Sequence, residues 1–270
     1  MKYKRYKSEL EYTYALGAAL VIELIRHRPD SVLSVFLNPN YIIRACAGAR
    51  GAAEDAGAAE AAADTDIIKI CKDRSIPCEV NQKIFNIAAQ KENIYVIGIC
   101  KKGSAPLSPH QPHAVFVNPA DAGNLGANLR TCLGFGIRNA AIIKPGTDLY
   151  SPKTIRASMG AIFQLNTAEF PTYDDYSTAY PEHEKYCFML DGDTELSKIS
   201  VIDNERFALI FGNEATGLPD TFHRYGRSIR IPHSGAIDSL NVTVAVGIAA
   251  HAFYHLTHRG NTQGEGSLVL

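Results

Sequence analysis

The sequence predicts an α/β protein of two units, a smaller first one and a larger second one built on a parallel sheet. Three observations predict it. Short apolar runs of strand length alternate with segments of helical spacing along most of the chain, the pattern of a parallel sheet covered on both faces. Residues Lys101–Pro112 interrupt the alternation with three prolines, a glycine and two serines, the composition of an exposed linker. Finally, 270 residues exceed one average domain and fall short of three. The expected division is therefore a first domain over 1–100, a linker over 101–112 and a second domain over 113–270.

In the first domain the run Leu16–Ile25 has helical spacing and breaks at His27–Asp30, ahead of a strand at Ser31–Leu37. Ala45–Ala63 is dominated by alanine with Gly48, Gly51 and Gly57 inside it, and reads either as a long helix or as a loop leading to a helix around Ile67–Lys72. A short strand at Ser75–Val80, a short helix at Asn81–Gln90 and a buried strand at Asn93–Cys100 complete a compact α/β unit. In the second domain, apolar runs at Ala114–Pro119, Ala140–Gly146, Gly160–Ala168, Tyr186–Asp193 and Phe207–Glu214 supply the strands, with helical segments between them.

Bulk properties narrow the function. With 46% hydrophobic and 20% charged residues, the chain has the composition of a soluble globular protein with an ordinary core. A net charge of −1 gives no chain-wide footprint for a polyanion, so a nucleic-acid surface must be a local patch. The six cysteines, Cys46, Cys71, Cys78, Cys100, Cys132 and Cys187, form no CxxC pair and no Cys/His ligand spacing, which points to reduced thiols, no metal and no disulfide framework. The N-terminus has basic residues without the apolar core of a signal peptide, and no apolar run approaches the ~20 residues of a membrane span. A cytoplasmic protein with no membrane partner is expected.

Three constellations in the second domain carry candidate chemistry. In Asn118–Gly136 a strand end passes through a turn into a helix expected to start near Asn124; Leu125, Leu129 and Leu133 recur every four residues and face the sheet. Arg130 stands about 100° from that stripe, between Gly126, Ala127 and Gly134, and projects where open parallel sheets bind ligands. Taken alone, the segment is better explained by an exposed arginine with a packed stem. Phe211–Pro219 follows an apolar run, so Gly212 and Gly217 sit at a strand's end, and the Glu214 carboxylate can hold backbone N–H groups or a partner arginine. In Ile229–Val246 a strand and a Ser-Gly turn lead into an apolar helix; Asp238 or Ser239 can cap it, and its free N–H groups suit a carboxylate or phosphate. Taken singly, each is also explained as a turn or a cap.

Together and in order they are more specific. Asn124-Leu-Gly-Ala-Asn-Leu-Arg130, Gly212-Asn-Glu-Ala-Thr-Gly-Leu218 and Ile231-Pro-His-Ser-Gly-Ala-Ile-Asp-Ser-Leu-Asn-Val242 resemble the three motifs of the SpoU branch, also called the TrmH family, of the SPOUT methyltransferases. The resemblance covers roughly Pro112–His258, and Arg156-Ala-Ser-Met-Gly160 resembles the family's segment between the first two motifs. The first domain is more loosely similar to the L30e-like RNA-binding domain that many of these enzymes carry.

The resemblance implies a SPOUT α/β-knot domain, a parallel sheet with a deep trefoil knot, behind the L30e-like α/β domain. It implies transfer of a methyl group from S-adenosylmethionine to a ribose 2′-hydroxyl of structured RNA, ribosomal or transfer, by a homodimer joined through the knot regions. A catalytically inactive RNA-binding protein of the same fold is the alternative. By resemblance, Leu190, Gly192, Gly212, Asn213, Ile231, Pro232 and Leu240 hold the methyl donor, mostly through backbone groups. Arg130, Ser239, Asn241, Asn124 and Glu214 form the catalytic set. Arg130 activates the 2′-hydroxyl, Ser239 and Asn241 orient it and bind the adjacent phosphate, Asn124 sets Arg130 in place, and Glu214 organises the loops or fixes an arginine across a dimer interface. An arginine has five donors and no acceptor, so phosphate binding and stabilisation of the developing alkoxide suit Arg130 better than proton removal. For RNA contact, Lys2, Lys4, Arg5 and Lys7 interleaved with Tyr3 and Tyr6 offer phosphate partners and stacking rings, though a solvated terminus explains the same residues.

Overall fold

The computed structural model describes residues 3–41, 67–88, 93–200, 202 and 206–258. The Ala-rich stretch Ala45–Ala63, Cys46 and Lys2 lie outside them. Two compact units are present, one of Met1–Gly103 with Asp148–Gln164 and one of Ser104–Thr147 with Leu165–Leu270. The second unit thus begins within the stretch of linker composition, and the Arg156–Gly160 segment belongs to the first unit.

In the first unit, strands β1 (Tyr12–Leu16), β2 (Val32–Leu37), β3 (Cys78–Val80) and β4 (Val96–Lys101) form a sheet in the order β1-β4-β2-β3. β4 pairs antiparallel with β1 and β2, and β3 runs parallel to β2. Helix α1 (Ala18–His27) covers it with Leu20, Val21, Leu24 and Ile25, while α2 (Gln82–Ala88) contributes Ile84 and Phe85 to a core with Tyr14, Phe36, Ile97 and Ile99. Residues 67–73 are helical, as the spacing predicts. The helix expected over Leu16–Ile25 starts instead at Ala18, because Leu16 ends strand β1 and α1 follows it. Gly17, at φ 113°, breaks the chain between them in a conformation a side chain would strain, and Leu16 pairs with Ile97. The Tyr3 ring packs edge-on against Tyr12 and Phe36, and the Tyr6 hydroxyl donates to Asp148, so the core and Asp148 engage both rings. Lys4, Arg5 and Lys7 remain exposed.

The second unit is a seven-stranded sheet. Its strands are β5 (His113–Val117), β6 (Asn139–Ile143), β7 (Asn166–Phe170), β8 (Glu184–Phe188), β9 (Thr194–Glu195), β10 (Phe207–Phe211) and β11 (Arg227–Arg230). They lie in the order β7-β6-β5-β10-β8-β11-β9, and every neighbouring pair is parallel. All five residues of β10 are buried, as a strand covered on both faces requires. Its alternate residues serve different layers. Ala208 and Ile210 meet Tyr173 and Tyr176 of helix α4 (Tyr173–Ala179), whereas Phe207, with Tyr186 of β8, packs on Phe253 of helix α5 (Val242–His258). Beside α5 lies α3 (Ala122–Gly134).

Two local expectations change. The run expected as a strand over Gly160–Ala168 is a 3-10 turn at Ala161–Phe163 followed by β7. The stretch with linker composition is fastened to the sheet: Leu107 is only 3% exposed, Ser108 N–H donates to Asn139 Oδ1 at 2.9 Å and Ala105 N–H to Thr167 O at 3.2 Å. Proline content reports poor helix and strand formation and says nothing about whether the segment docks.

Candidate functional site

The carboxyl ends of the neighbouring strands β10, β8 and β11 lie side by side, and the segments leaving them wall a cavity of about 370 Å³. Met189–Asp191 follows β8, Gly212–Leu218 follows β10, and Ile231, His233, Ser239 and Leu240 lie between β11 and α5. The cavity's apolar lining includes Phe188, Phe211, Ile229 and Val242, and its polar lining includes Asp191, Asn213, Glu214, Asp220 and Ser239. A mostly apolar concavity with a few convergent polar groups is the general form of a small-ligand site.

Two glycines let these backbones meet. A Cβ at Gly192 would stand 2.5 Å from the Ile229 carbonyl carbon, and one at Gly212 would stand 2.1 Å from the Gly217 carbonyl carbon. The Gly212–Leu218 loop closes through two backbone bonds, Asn213 N–H to Gly217 O at 3.2 Å and Gly217 N–H to Asn213 O at 2.9 Å.

That loop is tied to the start of α3 by side chains. Asn213 Nδ2 donates to Asn118 O at 2.8 Å, while Asn213 Oδ1 accepts from the Ala215 and Thr216 N–H groups. Glu214 accepts from Ala120 N–H at 2.9 Å, Asp121 N–H at 3.1 Å and Asn124 Nδ2 at 3.3 Å. Partial burial works to raise the Glu214 pKa, but the bonds from the Ala120, Glu214 and Asp121 backbones and from Asn124 outweigh it and hold the carboxyl below its ordinary range. Glu214 thus ties the loop after β10 to the start of α3, with Asn124 as one of its three donors.

α3 starts at Ala122, two residues ahead of the expected Asn124, because Asp121 caps it, accepting from Gly123 and Asn124 N–H. Leu125 and Leu129 are buried as expected, and Leu133 is half-buried. The Arg130 guanidinium is exposed, with no hydrogen-bond or ion-pair partner among the described residues. α5 is capped by Asn241, whose Oδ1 accepts from Thr243 N–H at 2.8 Å, in place of the expected Asp238 or Ser239; both of these are exposed in the preceding segment.

The two helices run parallel. Thr131 faces Gly247, and four residues on, Phe135 meets the His251 ring at 5.8 Å between centroids. In that register Asn241 stands level with Leu125, so Arg130 lies about five residues, ~7.5 Å of helical rise, further on. Helical side chains lean toward the N-terminus, which carries the guanidinium back toward the level of Asn241.

Of the expected residues, Leu190, Gly212, Asn213, Glu214, Ile231, Ser239 and Leu240 line the cavity. Asn124, Arg130, Gly192, Pro232 and Asn241 do not; Gly192 is buried under β11, Asn124 lies in the first turn of α3 and Arg130 further along that helix, Pro232 lies in the segment after β11, and Asn241 stands at the start of α5. Sequence reasoning missed Asn118, at φ 51°, and Asp121, whose Asp-x-Gly-Asn spacing is a capping signal. It also missed His223, which lies 3.3 Å from Asp191 Oδ2 and 3.6 Å from Asp193 Oδ2 beside the cavity. Asp193 in turn accepts from Ser228 Oγ at 2.7 Å, which with His223 holds its carboxyl below the usual range. Cys71, Cys78, Cys100, Cys132 and Cys187 are free thiols, and burial pushes Cys100, Cys132 and Cys187 up to about 12. Among the described residues no helix is long and apolar enough to cross a membrane.

A parallel α/β sheet with a ligand cavity at the carboxyl ends of its central strands, closed by glycine-tightened loops, defines the class of the second unit. Residues 111–251, more than half of the chain, match the model of the SpoU rRNA Methylase family, and the chain belongs to that family. It is 33% identical over 133 residues to the 23S rRNA (adenosine(1067)-2'-O)-methyltransferase of Streptomyces laurentii, covering 48% of each chain. It is 31% identical over 132 residues to the enzyme of that name from Streptomyces azureus, covering 48% of this chain and 49% of the other. The chain spans about half the length of these curated relatives. Its fold is that of the AdoMet-bound rRNA methyltransferase of Sinorhizobium meliloti, with a TM-score of 0.72 at 23% identity over 94% of this chain and 89% of that one. The α/β architecture expected from the motifs is the one found.

Proposed function

We propose that the chain transfers a methyl group from S-adenosylmethionine to a ribose 2′-hydroxyl of a structured RNA, ribosomal or transfer. The observation that carries this reading is an unpaired guanidinium on one helix running parallel to a second helix whose capping residue, Asn241, adjoins the cavity-lining Leu240. Membership of the family and the names of the Streptomyces relatives support the same reaction. The cavity's size and its apolar lining suit the nucleoside of such a donor, and Gly212 and Gly192 let the segments that wall it pack closely on one another. S-Adenosylmethionine supplies an electrophilic methyl group on a sulfonium.

Leu190, Gly212, Asn213, Ile231 and Leu240 hold the donor, with Gly192 and Pro232 shaping the segments that carry them. Ser239 orients the ribose hydroxyl. Asn241 uses Oδ1 to cap α5, which leaves its amide N–H groups for a phosphate oxygen. Arg130 binds the neighbouring phosphate and stabilises the oxygen as it loses its proton and attacks. Glu214 and Asn124 act at one remove, by fixing the loop after β10 to the start of α3. The knotted path belongs to this reading, as does an L30e-like first unit that contacts RNA through a local basic patch. So does a homodimer formed through α5, where Val244, Ile248 and Tyr254 are exposed along the helix, and so does a cytoplasmic location.

The test is incubation with total RNA and labelled S-adenosylmethionine, mapping of the label, and repetition with Arg130→Ala. The expected result is a 2′-O-methylated ribose, with turnover lowered about 10²- to 10³-fold in the variant and donor affinity nearly unchanged. Label on a base, or equal loss of turnover and donor affinity, overturns the assignment. Calorimetry with S-adenosylmethionine separates this reading from an RNA-binding protein of the same fold without activity, which shows no donor binding.

A further inference from the structure

Residues 231–241 place Ile231, Ser239 and Leu240 in the cavity wall, yet the segment forms neither helix nor strand. Apolar burial does not shape it either, since its one large apolar side chain beyond the wall, Ile237, is 53% exposed. A histidine spans it. His233 Nδ1 lies 3.2 Å from Ile231 O and its Nε2 lies 3.2 Å from Ile237 O. Both partners are carbonyl oxygens, which only accept. A neutral imidazole has one N–H and one bare nitrogen, so it satisfies one carbonyl and turns a lone pair toward the other. The imidazolium donates to both.

We propose that His233 is a positioning residue: in its doubly protonated form it staples Ile231 to Ile237 and so sets Ser239 and Leu240 in the cavity wall. The identity of the ligand rests on the function proposed above; the staple does not. Asp191 from the turn after β8, and Glu214 and Asp220 from the segment after β10, line the same cavity, Asp238 lies in the same segment as His233, and among the described residues no lysine or arginine lines the cavity. His233 is itself exposed. Losing one proton releases one end of the staple, and the segment then holds Ser239 and Leu240 less tightly.

Two measurements test this. Nitrogen-15 spectra of the free, histidine-labelled protein, assigned with His233→Gln, report whether both ring nitrogens carry protons at pH 6.0, as expected. Calorimetric titration with S-adenosylmethionine at pH 6.0 and 8.5 is compared among wild type, His233→Phe and His233→Gln. The ratio of wild type to variant at each pH cancels the titration of the ligand's own α-amino group. The wild-type advantage is expected to be about tenfold at pH 6.0, the worth of one charge-assisted hydrogen bond, and to be smaller at pH 8.5, where the neutral ring keeps one of its two bonds. A bare ring nitrogen on His233 at pH 6.0 overturns the staple. A wild-type advantage that does not change with pH overturns the role of protonation. Wild type that binds no donor at either pH overturns the donor reading of the cavity, and the nitrogen spectra still decide the staple.

Discussion

Acid should weaken the second unit through one buried histidine at the start of β5. His113 is completely buried, its Nε2 lies 2.8 Å from Ser108 O, and its Nδ1 lies 3.0 Å from the Tyr176 hydroxyl. In the neutral ring Nε2–H donates to the carbonyl and Nδ1 accepts from the tyrosine, so every group is satisfied and a further proton has no place. Burial, and then the His183 ring 4.0 Å away, lower its pKa to about 4, against the opposing pull of the Ser108 carbonyl. Because the folded value is depressed, the unfolded chain takes up a proton below pH 6.5 while the folded chain refuses it. The associated stability is fully present above about 6.5 and is lost as pH falls toward 4. At 1.36 kcal/mol per unit the whole effect is about 3 kcal/mol, and about 2 kcal/mol is gone by pH 5. Urea denaturation followed by tyrosine circular dichroism at pH 7.5 and 5.0 measures it, with His113→Gln as the reference that still reaches both partners. Wild type should lose about 2 kcal/mol more than the variant. Equal losses in the two proteins would refute the reasoning.

Other outcomes follow from the site. Gly212→Ala forces a methyl group against the Gly217 and Leu218 backbone, which cannot move as a side-chain tip can; a loss of about 1–3 kcal/mol together with weakened donor binding is expected, and unchanged melting and affinity would count against the close approach. Glu214→Gln replaces a charged acceptor of three hydrogen bonds by an amide with one acceptor end, and thermal melting should show a cost of about 1–3 kcal/mol with Asn124 and Asp121 loosened. Asn241→Ala removes the cap of α5, costs about 1 kcal/mol and should lower turnover as well, whereas a serine there should restore the stability and leave the turnover low.

Much of the architecture was legible because it is local. The alternation of buried runs in β5, β6 and β10 with helical segments announces a parallel sheet, and the Leu125–Leu129 stripe locates the face of α3 on it. Where local signals compete, the reading slipped: an apolar helical run extended back to Leu16 hid β1, since strand membership there depends on Ile97, far along the chain. Caps behaved likewise. Asp238, Ser239 and Asn241 are all competent, and only the path of the backbone decides which of them meets the first free N–H groups of α5.

The sequence by itself determined the class of fold, the order of the three motifs and, through them, the family, because periodicity and short spacings are carried by neighbouring residues. Tertiary structure decided what those residues touch. Glu214 finds its hydrogen-bond donors at Ala120, Asp121 and Asn124, Leu107 is buried despite its proline-rich surroundings, and His233 closes a segment that has no regular structure. Hydrogen bonds and burial are settled between groups brought together from distant parts of the chain, and no local pattern encodes that meeting.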